Sequence, residues 1–244
     1  MSDATALRAP TTRGRSPAPW RGVDLAEAMD EHDLYPVHEE DDVPEKPFHE
    51  RLARYLRGAL ATHLPNKWVT GNVCMYWEER NFHRYLAPDV LVVDCEPPAD
   101  PPDVHLKWAD PPALLVIEVG SKSTFLKDED PKLDSYGLDL RVPEYLYYHP
   151  TRRDLRFWRL ANGGYLAVMP DVRGWMHSET IDVWFGADEH GWLHVYAPSG
   201  ERLLSHEEEA RGRREAEGRA ADMERQLTEL QAELARLKAA STAG

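Results

Sequence analysis

The chain has 244 residues, 42% of them hydrophobic, with eight tryptophans, which is enough for one domain with a real core plus extensions, or for two small domains. It contains no apolar run approaching about 18 residues and no N-terminal secretory pattern, so we expect neither a membrane span nor export. The formal net charge of -14 argues against binding nucleic acid by bulk attraction, because such binding depends on clustered Lys and Arg.

The N-terminal part of the chain shows no hydrophobic periodicity. Residues 1–22 are rich in Ala, Pro, Thr and Arg and predict a flexible tail. Residues 24–34 predict a short helix, and the acidic cluster at 39–42 predicts a solvated loop rather than a cation site. We expect the folded domain to cover residues 23–205.

The central part of the chain alternates between helical and strand patterns. "FHERLARYLRGALATHL" predicts an amphipathic helix, because Leu52, Leu56, Ala59, Leu60 and Leu64 form one apolar stripe. "KWVTGNVCMYWEE", "HRYLAPDVLVVD" and "PPALLVIEVG" predict strands, and the unbroken apolar runs of the last two indicate cover on both faces of a sheet. The two cysteines, Cys74 and Cys95, lie inside such runs, which is typical of buried thiols in a reducing cytoplasm; the alternative is a single disulfide between them.

Residues 130–140 return to helical spacing, with Asp130 as a candidate N-cap and Pro131 at the first helical position. "VPEYLYYH" predicts a further strand, and "DLRFWRLANGGYLAVM" a hairpin with its turn at residues 162–164. "HGWLHVYAPSGERLL" adds one strand or two. The sequence therefore predicts an α/β fold with a central mixed sheet flanked by helices, and a β-rich C-terminal portion.

Residues 206–240 predict a C-terminal helix of the coiled-coil type. Apolar residues recur alternately four and three positions apart, as in the a/d seam of about three heptads. They are Ala216, Ala220, Met223, Leu227, Leu230, Leu234 and Leu237. We expect self-association, as a dimer, through this seam; the alternative is a lone helix folded back on the domain.

Two carboxylates stand near the ends of neighbouring strands. Asp89 precedes a strand in "APDVLVV", and Glu118 lies near the end of another in "LVIEVG". Such a pair can share a hard cation, Mg²⁺ or Mn²⁺, with the backbone carbonyl of Val119 as a further oxygen ligand. A bound cation of this kind polarises a phosphoryl oxygen, and a nearby lysine would stabilise the developing charge.

The order of these elements resembles the core of the PD-(D/E)xK nuclease superfamily. More specifically, "PDVLVVD", "LLVIEVGSKST", "DEDPKLDSYGLDLRVPEYLYYHP" and "PSGERL" resemble the Uma2 family, whose members are described as restriction endonucleases. The resemblance covers about residues 25–205. It implies a restriction-endonuclease-like fold, with hydrolysis of DNA phosphodiester bonds that leaves a 5′-phosphate.

The resemblance implies that Asp89 and Glu118 are the metal-binding carboxylates. Where the superfamily lysine usually stands, two residues after Glu118, this sequence has Gly120. Lys132 matches the lysine of the Uma2 family and is our preferred catalytic lysine. The alternatives are that Lys122 is the catalytic lysine, or that the site has none. A lysine in the first turn of a helix is disfavoured by the helix dipole, and a carboxylate-rich site would compensate for this.

Three further residues are candidates for accessory roles. Glu50 lies on the first predicted helix, where many superfamily members have a glutamate that assists the metal, although an exposed surface glutamate is the alternative. Tyr136 stands one helical turn after Lys132 and faces either the site or the core. Ser121 matches a serine of the family and would cap a turn or touch a phosphate.

The sequence thus predicts a cytoplasmic, Mg²⁺-dependent or Mn²⁺-dependent DNA endonuclease that assembles through its C-terminal helix. The alternative function is that of an inactive, nuclease-like scaffold or binding protein. Gly120 in the position of the lysine and the net charge of -14 both motivate this alternative.

Overall fold

The computed structural model describes residues 32, 35, 47–120 and 129–242, and the side chains of residues 32, 35, 48–120 and 132–232. The predicted tail at 1–22, most of the predicted helix at 24–34, the acidic loop at 39–42, Ser121 and Lys122 lie outside the described residues.

Helices flank the sheets of the domain, and one long helix ends the described chain. The helices are α1 (Pro47–His63), α2 (Glu129–Asp134), which continues into a π-helical turn (Ser135–Asp139), and α3 (His206–Thr242). The strands are β1 (Trp68–Thr70), β2 (Cys74–Tyr76), β3 (Tyr85–Leu86), β4 (Val90–Val93), β5 (Val104–Leu106), β6 (Ala113–Val119), β7 (Glu144–His149), β8 (Asp154–Ala161), β9 (Gly164–Ala167), β10 (Met176–Ser178), β11 (Val183–Ala187) and β12 (Leu193–Tyr196).

The strands of the described residues form three sheets. The large one has six strands in the order β1-β4-β6-β7-β8-β9, and it is mixed, because β6 and β7 run parallel while the other neighbours are antiparallel. The two smaller sheets have the orders β10-β11-β12 and β3-β2-β5. The predicted α/β class with a central mixed sheet is therefore confirmed, and it is consistent with a restriction-endonuclease-like fold.

Both faces of the large sheet are covered, which explains the unbroken apolar runs of its central strands. Alternate residues of a strand point to opposite faces. Val90 and Val92 of β4 accordingly pack with the apolar stripe of α1 and with the sheet β10-β11-β12. Leu91 and Val93 pack on the other face, which the segment after α2 covers with Tyr136. Every residue of β4 and of β7 is buried.

Several local predictions need correction. The segment from Trp68 to Tyr76 divides between β1 and β2, which belong to different sheets, and β5, β10 and β11 were not predicted. The helix predicted over 130–140 begins at Glu129, and from Ser135 onwards its hydrogen bonds span five residues, as in the bond from Leu140 N to Ser135 O at 2.8 Å. In the hairpin, the turn is Asn162-Gly163 alone, and residue 164 already starts β9.

The C-terminal helix α3 begins at a capping box and then leaves the domain. Ser205 Oγ accepts a hydrogen bond from Glu208 N, while Glu208 Oε2 accepts one from Ser205 N. From residue 211 to residue 232 every side chain is exposed. This part of α3 is therefore not folded back on the domain. Among the described helices, none is long and apolar enough to traverse a bilayer.

Candidate active site

The two predicted carboxylates lie at the same edge of the large sheet. β4 and β6 are antiparallel neighbours with Val90 opposite Ile117, so that the residue before β4 meets the last residues of β6. The Asp89 carboxylate accepts a hydrogen bond from Val119 N at 2.6 Å through Oδ2. Asp89 is 8% exposed and Glu118 is 6% exposed, so two acidic groups are buried beside each other.

Two side chains from one helical face meet the Glu118 carboxylate. Tyr136 Oη donates a hydrogen bond to Oε1 at 2.7 Å, and Lys132 Nζ donates one to Oε2 at 3.2 Å. Residues four apart on a helix lie above one another, so Lys132 on α2 and Tyr136 on the π-helical turn reach the same carboxylate. The ring of Tyr136 is fully buried and packs 5.1 Å from that of Tyr145, so this residue serves both core and site.

Burial raises the pKa of Glu118 to about 7, against the lowering effect of the Lys132 ammonium. The neighbouring Asp89 raises the pKa of Glu118 further, and the hydrogen bond from Tyr136 lowers it. Burial, rather than the charge of Asp89, is thus the main cause of the raised pKa. A cation bound beside the two carboxylates would favour their charged forms and offset this cost of burial.

Asp89 has a second set of neighbours from α1. His49 Nε2 lies 3.1 Å from Asp89 Oδ2, and Arg57 Nη1 donates to the backbone oxygen of Asp89 at 2.8 Å. The approach of Arg57 requires a glycine at position 71, because a Cβ atom there would lie 2.7 Å from Arg57 Nη1 and 2.1 Å from Asp89 O. His49 and Arg57 were not predicted to be site residues; in the sequence, the only indication of such a role is their position on the predicted first helix.

Glu50 is directed to arginines rather than to the carboxylate pair. Its Oε1 lies 3.2 Å from Arg54 Nη2 and 3.5 Å from Arg57 Nη2, and a third of the side chain is exposed. Among the described residues, its contact with the site is therefore indirect and runs through Arg57 to Asp89. The accessory role of Glu50 stays a prediction.

Position 120, where the superfamily lysine usually stands, is closed by packing. A Cβ atom on Gly120 would lie 2.2 Å from Tyr147 Oη and 2.7 Å from its Cζ. Tyr147 is 2% exposed, so a longer side chain at position 120 would have to displace a buried ring. The cation that approaches Glu118 comes instead from α2, as Lys132.

The oxygen atoms of this site suit a hard divalent cation. Among the described residues, both hydrogen bonds to the Asp89 carboxylate reach Oδ2, which leaves Oδ1 for a metal. Val119 N points towards Asp89, and in an extended strand the carbonyl of the same residue points to the same side. The described part of the chain has no cluster of three or more His, Cys, Asp or Glu side chains able to hold a cation. Two carboxylates, one carbonyl and several waters are the set that Mg²⁺ accepts.

Comparison with known proteins gives one family. A family model named Uma2 and described as a putative restriction endonuclease matches residues 39–188, which include β4, β6, α2 and β7 and therefore all the side chains that meet at the two carboxylates. No curated protein matches the chain.

Proposed function

Because the chain belongs to the Uma2 family, we propose that it is a metal-dependent DNA endonuclease. A nuclease role in general follows from the family's description; the metal, the DNA substrate and the residues are our proposal. The observation that carries it is the convergence of a cationic and a phenolic side chain on Glu118, next to the buried Asp89.

Each side chain has a defined task in this proposal. Asp89, Glu118 and the Val119 carbonyl would hold Mg²⁺ or Mn²⁺, which when bound would supply Lewis acidity towards a phosphoryl oxygen. Lys132 orients the attacking water and stabilises negative charge that develops on the phosphate. Tyr136 fixes the Glu118 carboxylate by its hydrogen bond, so that one oxygen keeps a constant direction.

Replacing Asp89 by asparagine is expected to lower the rate of DNA cleavage by about 100-fold or more, since a metal ion supplies several kcal/mol of charge stabilisation. Cleavage of supercoiled and linear duplexes with Mg²⁺ or Mn²⁺, at several salt concentrations, is the measurement. Asp94→Asn is the matched control, because Asp94 is exposed and pairs with Lys67 at the far end of β4.

Two outcomes would contradict the endonuclease proposal. In the first, the parent protein cleaves no duplex with either cation, and calorimetry detects no Mn²⁺ binding; the protein would then be a scaffold on a nuclease-like fold. In the second, Asp89→Asn and Asp94→Asn cleave equally well, so that the buried carboxylates have no part in the reaction.

The exposed seam of α3 supports a second proposal, that two copies of the chain associate. Met223, Leu227 and Leu230 are 64%, 58% and 62% exposed. Three large apolar side chains along one helical stripe are costly to leave in water, and a second copy of the same stripe would cover them. The sequence continues the seam with Leu234 and Leu237.

Charge favours a parallel arrangement of these two helices. With Leu227 at position a, Arg219 falls at g and Glu224 at the next e, and these two positions face each other across a parallel, in-register coiled coil. Gln226 and Gln231 form the next such pair. An antiparallel arrangement brings g to g and e to e, so Arg219 and Glu224 would not meet.

Exchanging Leu227 and Leu230 together for lysine is expected to convert a dimer into a monomer, measured by light scattering over a range of concentrations. The matched control carries Thr228→Lys and Ala232→Lys, which add the same charge outside the seam and should leave the dimer intact. Glu224→Arg should weaken the dimer, and adding Arg219→Glu should restore it. A parent chain that stays monomeric, or a double exchange that restores nothing, would refute the parallel dimer.

A further inference from the structure

A groove lined by arginines runs between α1 and the beginning of α3. Its cavity volume is about 860 Å³, and its walls include Arg51, Arg54 and Arg57 from α1 and Arg211 from α3. The three arginines of α1 are spaced three residues apart, so they follow one side of the helix. The two helices are held together where Ser205 lies against Gly58, a position at which an added Cβ would be 3.1 Å from Ser205 Cβ.

The positive charge of this groove is available to a ligand. Arg51 and Arg211 are exposed and form no ion pair with any described residue, and Arg51 Cζ lies 5.5 Å from the centre of the Trp192 ring. Arg54 pairs with Glu50 at 3.2 Å, but its side chain is 64% exposed, and such surface pairs are weak.

The acidic residues of the same groove do not cancel this charge. Glu208 is engaged by Ser205 N at 3.0 Å and by Arg202 at 3.1 Å, so its charge is already compensated. Glu207 also lines the groove and remains a negative charge. Among the described residues of the groove, four arginines stand against this one uncompensated carboxylate, with Glu50 beside them, and give a locally positive surface on a chain whose net charge is -14.

Arg57 connects the groove to the backbone of Asp89, at the edge of the sheet that carries the candidate active site. This residue lines the groove, and its Nη1 donates to the backbone oxygen of Asp89 at 2.8 Å. From Arg51 to Arg57 the helix rises by about 9 Å. Successive phosphates of one DNA strand advance by about 3.4 Å along the duplex axis, so this length covers two to three phosphates.

We propose that the arginine groove binds the phosphodiester backbone of the DNA substrate and directs it towards Asp89 and Glu118. This inference rests on the proposed endonuclease function. It also reconciles a DNA substrate with the acidic composition, because phosphate contacts depend on the local cluster rather than on the net charge of the chain. Trp192, beside Arg51, offers an aromatic surface at the same groove.

The test is the binding of a fluorescent DNA duplex, followed by anisotropy with Ca²⁺ in place of the catalytic ion. A triple variant with Arg51→Ala, Arg54→Ala and Arg211→Ala is expected to bind at least about tenfold more weakly. The slope of log K against log salt should become shallower by about 1 for each phosphate contact removed. Arg57 is left intact because it contacts Asp89.

The matched control carries Arg80→Ala, Arg84→Ala and Arg225→Ala, which removes the same charge from exposed positions outside the groove. It should keep the affinity and the salt slope of the parent, and circular dichroism checks that both triple variants are folded. If the two triple variants lost the same amount of DNA affinity, the groove proposal would be wrong, because the change in net charge alone would then explain the loss of affinity.

Cleavage by the parent, measured in parallel, separates the two proposals. If the parent cleaves DNA and the groove variant binds it as tightly as the parent does, the groove proposal is wrong and the endonuclease proposal stands. If the parent neither binds nor cleaves DNA, the endonuclease proposal fails and the groove proposal fails with it. Binding of poly-glutamate but not of DNA at these arginines would assign the groove to an acidic protein partner and overturn our proposal.

Discussion

Lys132→Met is expected to lower the rate of DNA cleavage by about 10²–10³-fold, the usual loss when one preorganised donor is removed from a developing negative charge. Methionine keeps the length and apolar contacts of the lysine stem but removes its ammonium group. In the protein, that group lies 3.2 Å from Glu118 Oε2, with 25% of the side chain exposed. Quantitative cleavage assays with Mg²⁺ and Mn²⁺ measure the effect.

The same substitution has a readout that does not depend on activity. In the metal-free parent, burial raises the pKa of Glu118 from 4.5 to about 7. The folded state therefore holds this proton at pH values where the unfolded state has lost it, so the contribution of Glu118 to folding stability is complete below pH 4.5 and is lost as the pH rises towards 7. Lys132 lowers the pKa of Glu118, so in Lys132→Met this pKa rises further and the loss extends to higher pH.

Urea denaturation at a series of pH values measures this dependence, and Lys67→Met is the matched control. Lys67 pairs with Asp94, far from Glu118 along β4, and should change neither cleavage nor the pH dependence of the free energy of unfolding. If Lys132→Met cleaves DNA as well as the control does, the catalytic lysine is elsewhere, and Lys122 becomes the residue to test.

The position of the carboxylate pair follows from the order of strands, which the sequence reveals. Asp89 begins one apolar run and Glu118 ends another, and antiparallel pairing of the two strands brings such ends together. Lys132 is different, because its spacing from Glu118 places it on another element. The family resemblance and the unfavourable position of a lysine in the first turn of a helix suggested that it returns to the site. The hydrophobic periodicity of the sequence does not indicate how the chain returns from Glu118 to the site at Lys132.

The site residues that were not predicted from the sequence depend on contacts between segments that are far apart along the chain. His49 is 40 residues from Asp89, and whether it lies within 3.1 Å of that carboxylate depends on how α1 crosses the sheet. Gly120 looked like a missing lysine, whereas the structure shows a position filled by the ring of Tyr147 from the neighbouring strand. The strands β5 and β10 have three residues each, too few for a hydrophobic period to be recognised.

Glu144 is the clearest case of a role that only the fold defines. In the sequence it is part of the predicted strand "VPEYLYYH", and no role was predicted for its side chain. In the structure its carboxylate is fully buried at the start of β7 and joins the large sheet to the connection between β10 and β11. Its two oxygens accept hydrogen bonds from Arg159 Nε at 3.0 Å, from Glu179 N at 2.9 Å, from Thr180 Oγ1 at 2.6 Å and from Ser178 Oγ.

Glu144→Ala is therefore expected to lower the free energy of unfolding by about 3–5 kcal/mol, because removing one partner of a buried ion pair leaves the other charge uncompensated and several donors without an acceptor. Urea denaturation measures this loss. The matched control is Glu179→Ala, which removes a second carboxylate from the same Arg159, but one that is 64% exposed.

The control should cost less than about 1 kcal/mol, as is usual for exposed pairs. The two carboxylates differ in burial while sharing the guanidinium of Arg159, so the difference between the variants isolates the effect of burial and of the hydroxyl and backbone donors. A Glu144→Ala variant no less stable than Glu179→Ala would mean that the carboxylate does not hold the two sheets together. Since a domain of this kind is stable by only about 5–15 kcal/mol, the expected loss removes a large part of the total and makes the comparison decisive.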